Sequence, residues 1–528
     1  MDFRLLLILF LFQFNTYAQL EDAWVYLNDK PNYEYFIENP ILILSQKSIN
    51  MKSLKNIPID FRDVPINESY IETIDNFQGL DVLSKSKWFN CLHVRGDYEE
   101  IDQLQNLDFV DRIEYANRSN NRINKTAMKD KFSEINHDLN NRVPFDQIQM
   151  INLDFLHSLG FTGSDISVGV FDAGFRNVDT MEGFYRLRSS GNIKYTYDFV
   201  DRTENLFDYI GNSHGTNVLS IIAGYIENQF YGTAIDAEFY LFRTEDVSSE
   251  NPVEESYWVE AIERADSLGI DIANTSLGYR IYDNSSYSYS QEEMDGTTAF
   301  ITRGSNIAYE KGIILVNSAG NSSVNGVIAP ADSRGVFSIG AVDGLGNYAS
   351  FSSQGNNFQQ VIKPDISARG SGTYLINSLD NLVQGGGTSY SSPIIAGSVA
   401  CLLQAFPTLK NNQIMDIIRY TASQYQYPDY YLGYGIPNFQ LAYQLALNVE
   451  KTPIIIFPNP VDEILNIVST IDGYLEINIF DISGKLLYSS IINGMNNVLL
   501  MQNFQKGIYI LEIKPEYDDL EIFKIVKH

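Results

Sequence analysis

From residue 143 to about 449 the chain alternates runs of β-branched apolar residues with stretches in which apolar positions recur every three to four residues. Short strands are predicted over 166–171, 239–242, 312–316 and 336–342. The segment 254–268 sets Trp258, Ile262, Ala265 and Leu268 on one helical face. Strands that stay apolar without alternation are buried on both sides, so this pattern predicts an α/β unit: a parallel sheet with helices on both faces. Upstream, the pattern is shorter and mixed. Strands are expected over 24–27, 87–94 and 109–114 and helices over 68–76 and 98–104, which makes a small α+β unit. Beyond Lys451 the helical period stops. Strands over 454–457, 474–481, 485–490, 497–501, 507–513 and 520–526, parted by turns such as Ser483-Gly484 and Asn493-Gly494, predict a small all-β sandwich.

The divisions follow from these shifts. Residues 1–18 place Arg4 before the apolar run 5–12 and end Thr16-Tyr17-Ala18, the pattern of a signal peptide cut after Ala18. The run is far short of the roughly 20 residues that span a bilayer, and no transmembrane segment is expected elsewhere. Residues 19–142 form the α+β unit and its linker, where 116–142 is rich in Asn, Lys, Arg and Ser. Residues 143–449 form the α/β unit and 453–528 the sandwich.

Length supports several units, because 528 residues exceed what one core usually holds. A net charge of -29 repels phosphate backbones and anionic lipid, so nucleic acid is not an expected partner. The acidity reads as a solubility feature of an exported chain. Only Cys91 and Cys401 occur, in different units, which excludes a disulfide framework. Cys401 lies in an apolar helical run and is expected to be a buried small hydrophobe.

In an open α/β sheet the site forms where strands give way to loops at their carboxyl ends. Four such places carry chemistry. The strand Ile166-Ser167-Val168-Gly169-Val170-Phe171 runs into Asp172-Ala173-Gly174, a carboxylate able to orient a histidine, although an Asp after a strand is more often a turn residue or helix cap. Ser213-His214-Gly215-Thr216 opens an apolar helix, which puts a general base at its start, with Gly215 expected to leave room around the ring for a substrate. Gly385-Gly386-Gly387-Thr388-Ser389-Tyr390-Ser391-Ser392-Pro393 leads into another apolar helix. Here Ser389 is either a nucleophile beside free N–H groups or an N-capping serine followed by a proline in the first turn. Asn317-Ser318-Ala319-Gly320-Asn321 follows a strand and offers the Asn321 amide to a developing oxyanion, or is a common turn.

The order Asp, His, Asn, Ser, together with Ser276-Leu277-Gly278, resembles the signature blocks of the subtilisin-like serine proteases, the subtilases, over about residues 148–446. That resemblance implies Ser389 as nucleophile, His214 as general base and later acid, Asp172 as the orienting carboxylate and Asn321 as the oxyanion donor. It further implies that Ser276, Leu277, Gly278, Ser318, Ala319 and Gly320 form the substrate-binding edges and main specificity pocket. The implied activity is a secreted serine endopeptidase acting on protein or peptide substrates through an acyl-enzyme. Two departures stand out: Ala173 where many subtilases have Ser or Thr, and Arg369 where many have proline. No cofactor is required for such chemistry. Calcium commonly stabilises subtilases, but no loop here carries its ligand spacing, and metal is left open.

By the same resemblance residues 19–115 occupy the place of an inhibitory propeptide. Phe457-Pro458-Asn459-Pro460, Asp481-Ile482-Ser483-Gly484-Lys485 and Lys506-Gly507-Ile508-Tyr509 are similar to the C-terminal sorting domain of type IX secretion cargo in Bacteroidota. Type IX secretion machinery is then a partner and the outer surface or medium the destination. Two rivals are weaker. A non-catalytic member acting as a surface binding protein would usually have lost one of the four positions, and an esterase with a Gly-x-Ser-x-Gly elbow runs Ser, Asp, His.

Overall fold

A computed structural model describes residues 20–117, 146–451, 454–469, 473–493, 496–516 and 519–528. The leader over 1–18, most of the linker over 116–142 and the Asn493-Gly494 turn lie largely outside the described residues.

The central unit is the expected α/β architecture. Seven strands, all parallel, lie in the spatial order Ile366–Arg369, Val336–Val342, Ile314–Ser318, Ile272–Thr275, Ser167–Asp172, Glu238–Arg243 and Ile193–Asp198. Successive side chains point to opposite faces, and each face has its own core. Val168 and Val170 pack with the His214–Ala223 and Thr388–Ala405 helices on one side. Phe171 and Ala273 pack with the Val253–Leu268 and Phe300–Glu310 helices on the other. The strand predicted over 312–316 begins at Ile314, because Gly312 closes the preceding helix with φ 85°.

The chain leaves Ser167–Asp172, runs out to one edge, returns, and crosses to Ile272–Thr275 on the other side. This reversal of strand order opens a crevice at the carboxyl end of Ser167–Asp172, the place where ligands meet open α/β sheets.

The N-terminal unit is a four-stranded antiparallel sheet of Leu80–Ser86, Cys91–Gly96, Glu21–Leu27 and Val110–Tyr115, in that order. The strand expected over 87–94 is corrected. Residues 87–90 form the turn of a hairpin, which Asn90 closes at φ 51°, and the strand Leu80–Ser86 precedes it. This sheet packs on the Val253–Leu268 and Phe300–Glu310 helices, where Trp24 stacks on Phe300 at 4.6 Å and donates its Nε1 hydrogen to Ser256 Oγ at 2.9 Å.

The C-terminal unit pairs a sheet of Ile454–Phe457, Ile464–Ser469 and Asn496–Leu500 with one of Leu486–Asn493, Tyr474–Asp481, Gly507–Pro515 and Glu521–Lys527, around a core of its own. The strand Ile464–Ser469 is the one the pattern did not anticipate. Cys91 and Cys401 are buried and unpaired.

Candidate active site

Asp172 ends its strand and is wholly buried. Its Oδ1 accepts from the amide of Ala173 at 2.7 Å and from His214 Nδ1 at 2.7 Å. A carboxylate can only accept, so Nδ1 carries the hydrogen of that bond and a neutral ring keeps its lone pair on Nε2. Asp172 Oδ2 is buried with no hydrogen-bond partner among the described residues, and Ala173 offers it no hydroxyl.

His214 is the first residue of its helix, and Asn212 Oδ1 accepts its amide hydrogen at 2.7 Å. Gly215 serves a purpose other than the expected one. A Cβ there would stand 2.6 Å from the carbonyl oxygen of Gly174 and 2.9 Å from Asp172 Cβ. The missing side chain lets the helix press against the Asp172 loop, and the room it makes is filled by backbone.

Ser389 is the second residue of the Thr388–Ala405 helix, and the residue ahead of that helix is Gly387. The capping alternative therefore does not describe this serine, and Pro393 sits in the second turn, not the first. Proline has no N–H, so the carbonyl of Ser389 loses its helical partner four residues on. Ser276 Oγ donates to that carbonyl at 3.0 Å, and Ser389 Oγ in turn donates to the carbonyl of Ser276 at 3.3 Å. The ring of Tyr390 lies 6.0 Å from that of His214 and brings the two helix starts together.

Asn321 is oriented by Thr388, whose amide and hydroxyl both donate to its Oδ1, at 2.9 and 3.0 Å. That leaves Nδ2 directed elsewhere. Gly387 has φ 150°, and a Cβ on it would lie 3.5 Å from Asn321 Nδ2 and 3.8 Å from the amide nitrogen of Ser389. Two N–H donors thus border one small space that only a glycine leaves open, the arrangement that holds a developing oxyanion.

The two flanking edges meet this centre differently. Ser276 is bonded to Ser389 as described, and the carbonyl of Leu277 accepts from Asn317 Nδ2 at 3.1 Å. On the other edge the amide of Ala319 donates to the carbonyl of Ile339 at 2.9 Å and that of Gly320 to Thr388 Oγ1 at 3.1 Å, while the carbonyl of Ser318 accepts from Asn317 Nδ2 at 2.8 Å. Gly278 and Gly320 face each other across the side chain of Ile328. Arg369 ends its strand buried, with a guanidinium nitrogen 3.5 Å from an Asp146 carboxylate oxygen.

Sequence reasoning missed Asn212, Thr388 and Ile328. Thr388 carried a signal, a hydroxyl next to the serine in a Gly-rich turn; Ile328 carried none, because its significance depends on two distant glycines. Among the described residues there is no group of three or more His, Cys, Asp or Glu side chains that could hold a metal, and no helix is long and apolar enough to cross a membrane.

Three family models match in succession: the Peptidase S8 propeptide domain of Bacteroidota over residues 22–132, the subtilase family over 163–435, and the secretion system C-terminal sorting domain over 455–527. Subtilisin DY of Bacillus licheniformis is 30% identical over 306 residues, covering 57% of this chain and 99% of that protein. Subtilisin E of Bacillus subtilis strain 168 is 30% identical over 319 residues, 59% and 74% of the two chains. Subtilisin Savinase of Lederbergia lenta is 28% identical over 297 residues, 56% and 97%.

Proposed function

Because this chain belongs to the subtilase family of serine endopeptidases, we propose that Ser389 is its nucleophile, His214 its general base and acid, Asp172 the carboxylate that orients the base, and Asn321 the oxyanion donor. The observation that carries the assignment is the 2.7 Å bond from His214 Nδ1 to buried Asp172, which leaves Nε2 as the basic nitrogen. A substrate carbonyl placed over Ser389 points its oxygen at Asn321 Nδ2 and the Ser389 amide. His214 Nε2 takes the hydroxyl proton as the carbon–oxygen bond forms, and the charge that develops on the oxygen is met by those two donors. The proton then passes to the leaving amine, and water repeats the sequence in reverse on the acyl-enzyme. The residues named perform each step without a metal or cofactor.

The sorting domain makes this a secreted or cell-surface enzyme made with a propeptide. We assign type IX secretion machinery as the partner that exports it, and proteins or peptides as its substrates. The test is labelling of the full chain with a fluorophosphonate, read by mass spectrometry, beside Ser389→Ala. The expected result is a label on Ser389, and loss of both label and peptide hydrolysis in the variant with its thermal unfolding retained. Unchanged hydrolysis by Ser389→Ala would sink the assignment.

A further inference from the structure

The side chain of the substrate residue that donates the scissile carbonyl must be accommodated beside Ser389. In the proposed reaction its carbonyl oxygen is taken by Asn321 and the Ser389 amide, and its side chain, carried on the adjoining carbon, enters between the two stretches that the resemblance to subtilases gives as the walls of the specificity pocket. One stretch touches Ser389 directly through Ser276. The other ends at Gly320, whose amide is bonded to Thr388 beside it.

Ile328 stands between them. Its Cγ1 and Cδ1 lie 2.6 Å from where a Cβ on Gly278 would be, and 3.2 and 3.3 Å from where a Cβ on Gly320 would be. One arm of one isoleucine therefore touches both glycine faces. Its chain neighbour Val327 and, three residues on, Ala331 form a fully buried cluster with Ala319. The backbone on either side is held: Ala329 and Tyr279 exchange two backbone hydrogen bonds, of 2.8 and 3.2 Å, and the amide of Val327 donates to the carbonyl of Gln354 at 3.0 Å. A β-branched side chain on so fixed a backbone has few rotamers to choose from. Ile328 itself is only partly buried, as a residue facing a cleft would be.

From this we infer that Ile328 closes the specificity slot to large side chains, so that the enzyme cuts after small residues, glycine, alanine or serine, and discriminates against aromatic and long aliphatic ones. The inference rests on the protease reading and deepens it. The two glycines look like the walls of a wide slot, and in the folded protein a third residue occupies the space between them.

The experiment uses the full chain after its own processing, with active sites titrated by the fluorophosphonate, and chromogenic peptide anilides that differ only at the residue before the cut bond. The wild-type enzyme should favour alanine over phenylalanine in kcat/KM by roughly 10-fold or more, and Ile328→Ala should shift that ratio toward phenylalanine by about 10- to 100-fold. A wild-type preference for phenylalanine per titrated site, or an unchanged ratio in Ile328→Ala, would overturn the inference while leaving the protease reading intact. Absence of any label on Ser389 would remove both. Ile328→Val, a smaller change that keeps the branched side chain, should move the ratio in the same direction by less, which guards against a folding defect in the alanine variant.

Discussion

At the residue scale the site depends on how each polar atom is oriented by a neighbour. Asn321 could present either end of its amide, and the two donors of Thr388 decide which. Thr388→Val removes the hydroxyl but keeps the shape and the backbone donor. It should lower kcat by about 10- to 100-fold, measured on titrated enzyme, because it loosens the orientation of Asn321, and should raise KM as well, because the same hydroxyl accepts from the Gly320 amide on the flanking edge. Asp172, His214, Asn321 and Ser389 could be singled out in the sequence because each stands at a strand end or helix start with small residues around it. Thr388 was less legible, since its task appears only when residues 321 and 388 meet in space.

Among the elements, the His214 helix and the Asp172 strand approach so closely that Gly215 has no room for a methyl group. Gly215→Ala should destabilise the fold by about 1–3 kcal/mol and reduce turnover at the same time, seen as a lowered Tm and a lowered kcat in one variant, as the helix shifts to relieve overpacking. Four of the seven central strands read well from the pattern because burial on both faces leaves a continuous apolar run, whereas Ile193–Asp198, Ile272–Thr275 and Ile366–Arg369 carry polar residues and were not singled out. Leu80–Ser86 and Ile464–Ser469 did not read well either. Leu80-Asp81-Val82 and Lys85 mix charge into a strand with one solvated face, and Asn466 interrupts the other with a buried polar group that holds the carbonyl of Phe457. Tertiary partners, absent from a local pattern, stabilise both.

For the whole molecule, the propeptide is held to the enzyme by buried charge as much as by apolar contact. Lys52 and Asp63 from the propeptide interleave with Asp266 of one helix beneath and Lys311 just past the end of the other, with Lys52–Asp266 at 2.6 Å and Lys311–Asp63 at 2.7 Å, all four almost fully buried. Asp63→Asn leaves the lysines with one carboxylate fewer and should weaken docking by about 3–5 kcal/mol, read as an earlier first unfolding step in a Ser389→Ala precursor that cannot cut itself. Glu263 on the same helix accepts from Ser86 Oγ and from the amides of Lys87 and Trp88, yet burial prevails and pushes its carboxyl up to about 7. Release of the propeptide re-exposes Glu263 and returns it to the ordinary range near 4.5. Docking therefore takes up a proton between those values. The Glu263 contribution to docking is full below about 4.5 and falls as pH rises toward 7, and Glu263→Gln should flatten that part of the dependence in the same precursor.

Pro393 leaves the carbonyl of Ser389 without its helical partner, so that carbonyl is registered through Ser276 Oγ to the stretch that also forms one wall of the slot, a bond that remains when the Ser389 hydroxyl turns from the Ser276 carbonyl to His214. A side chain too large for that slot must wedge the wall outward and drag the attacking oxygen with it. Misfit is then paid in turnover and not only in affinity: poor substrates of this enzyme should show a depressed kcat even at saturation.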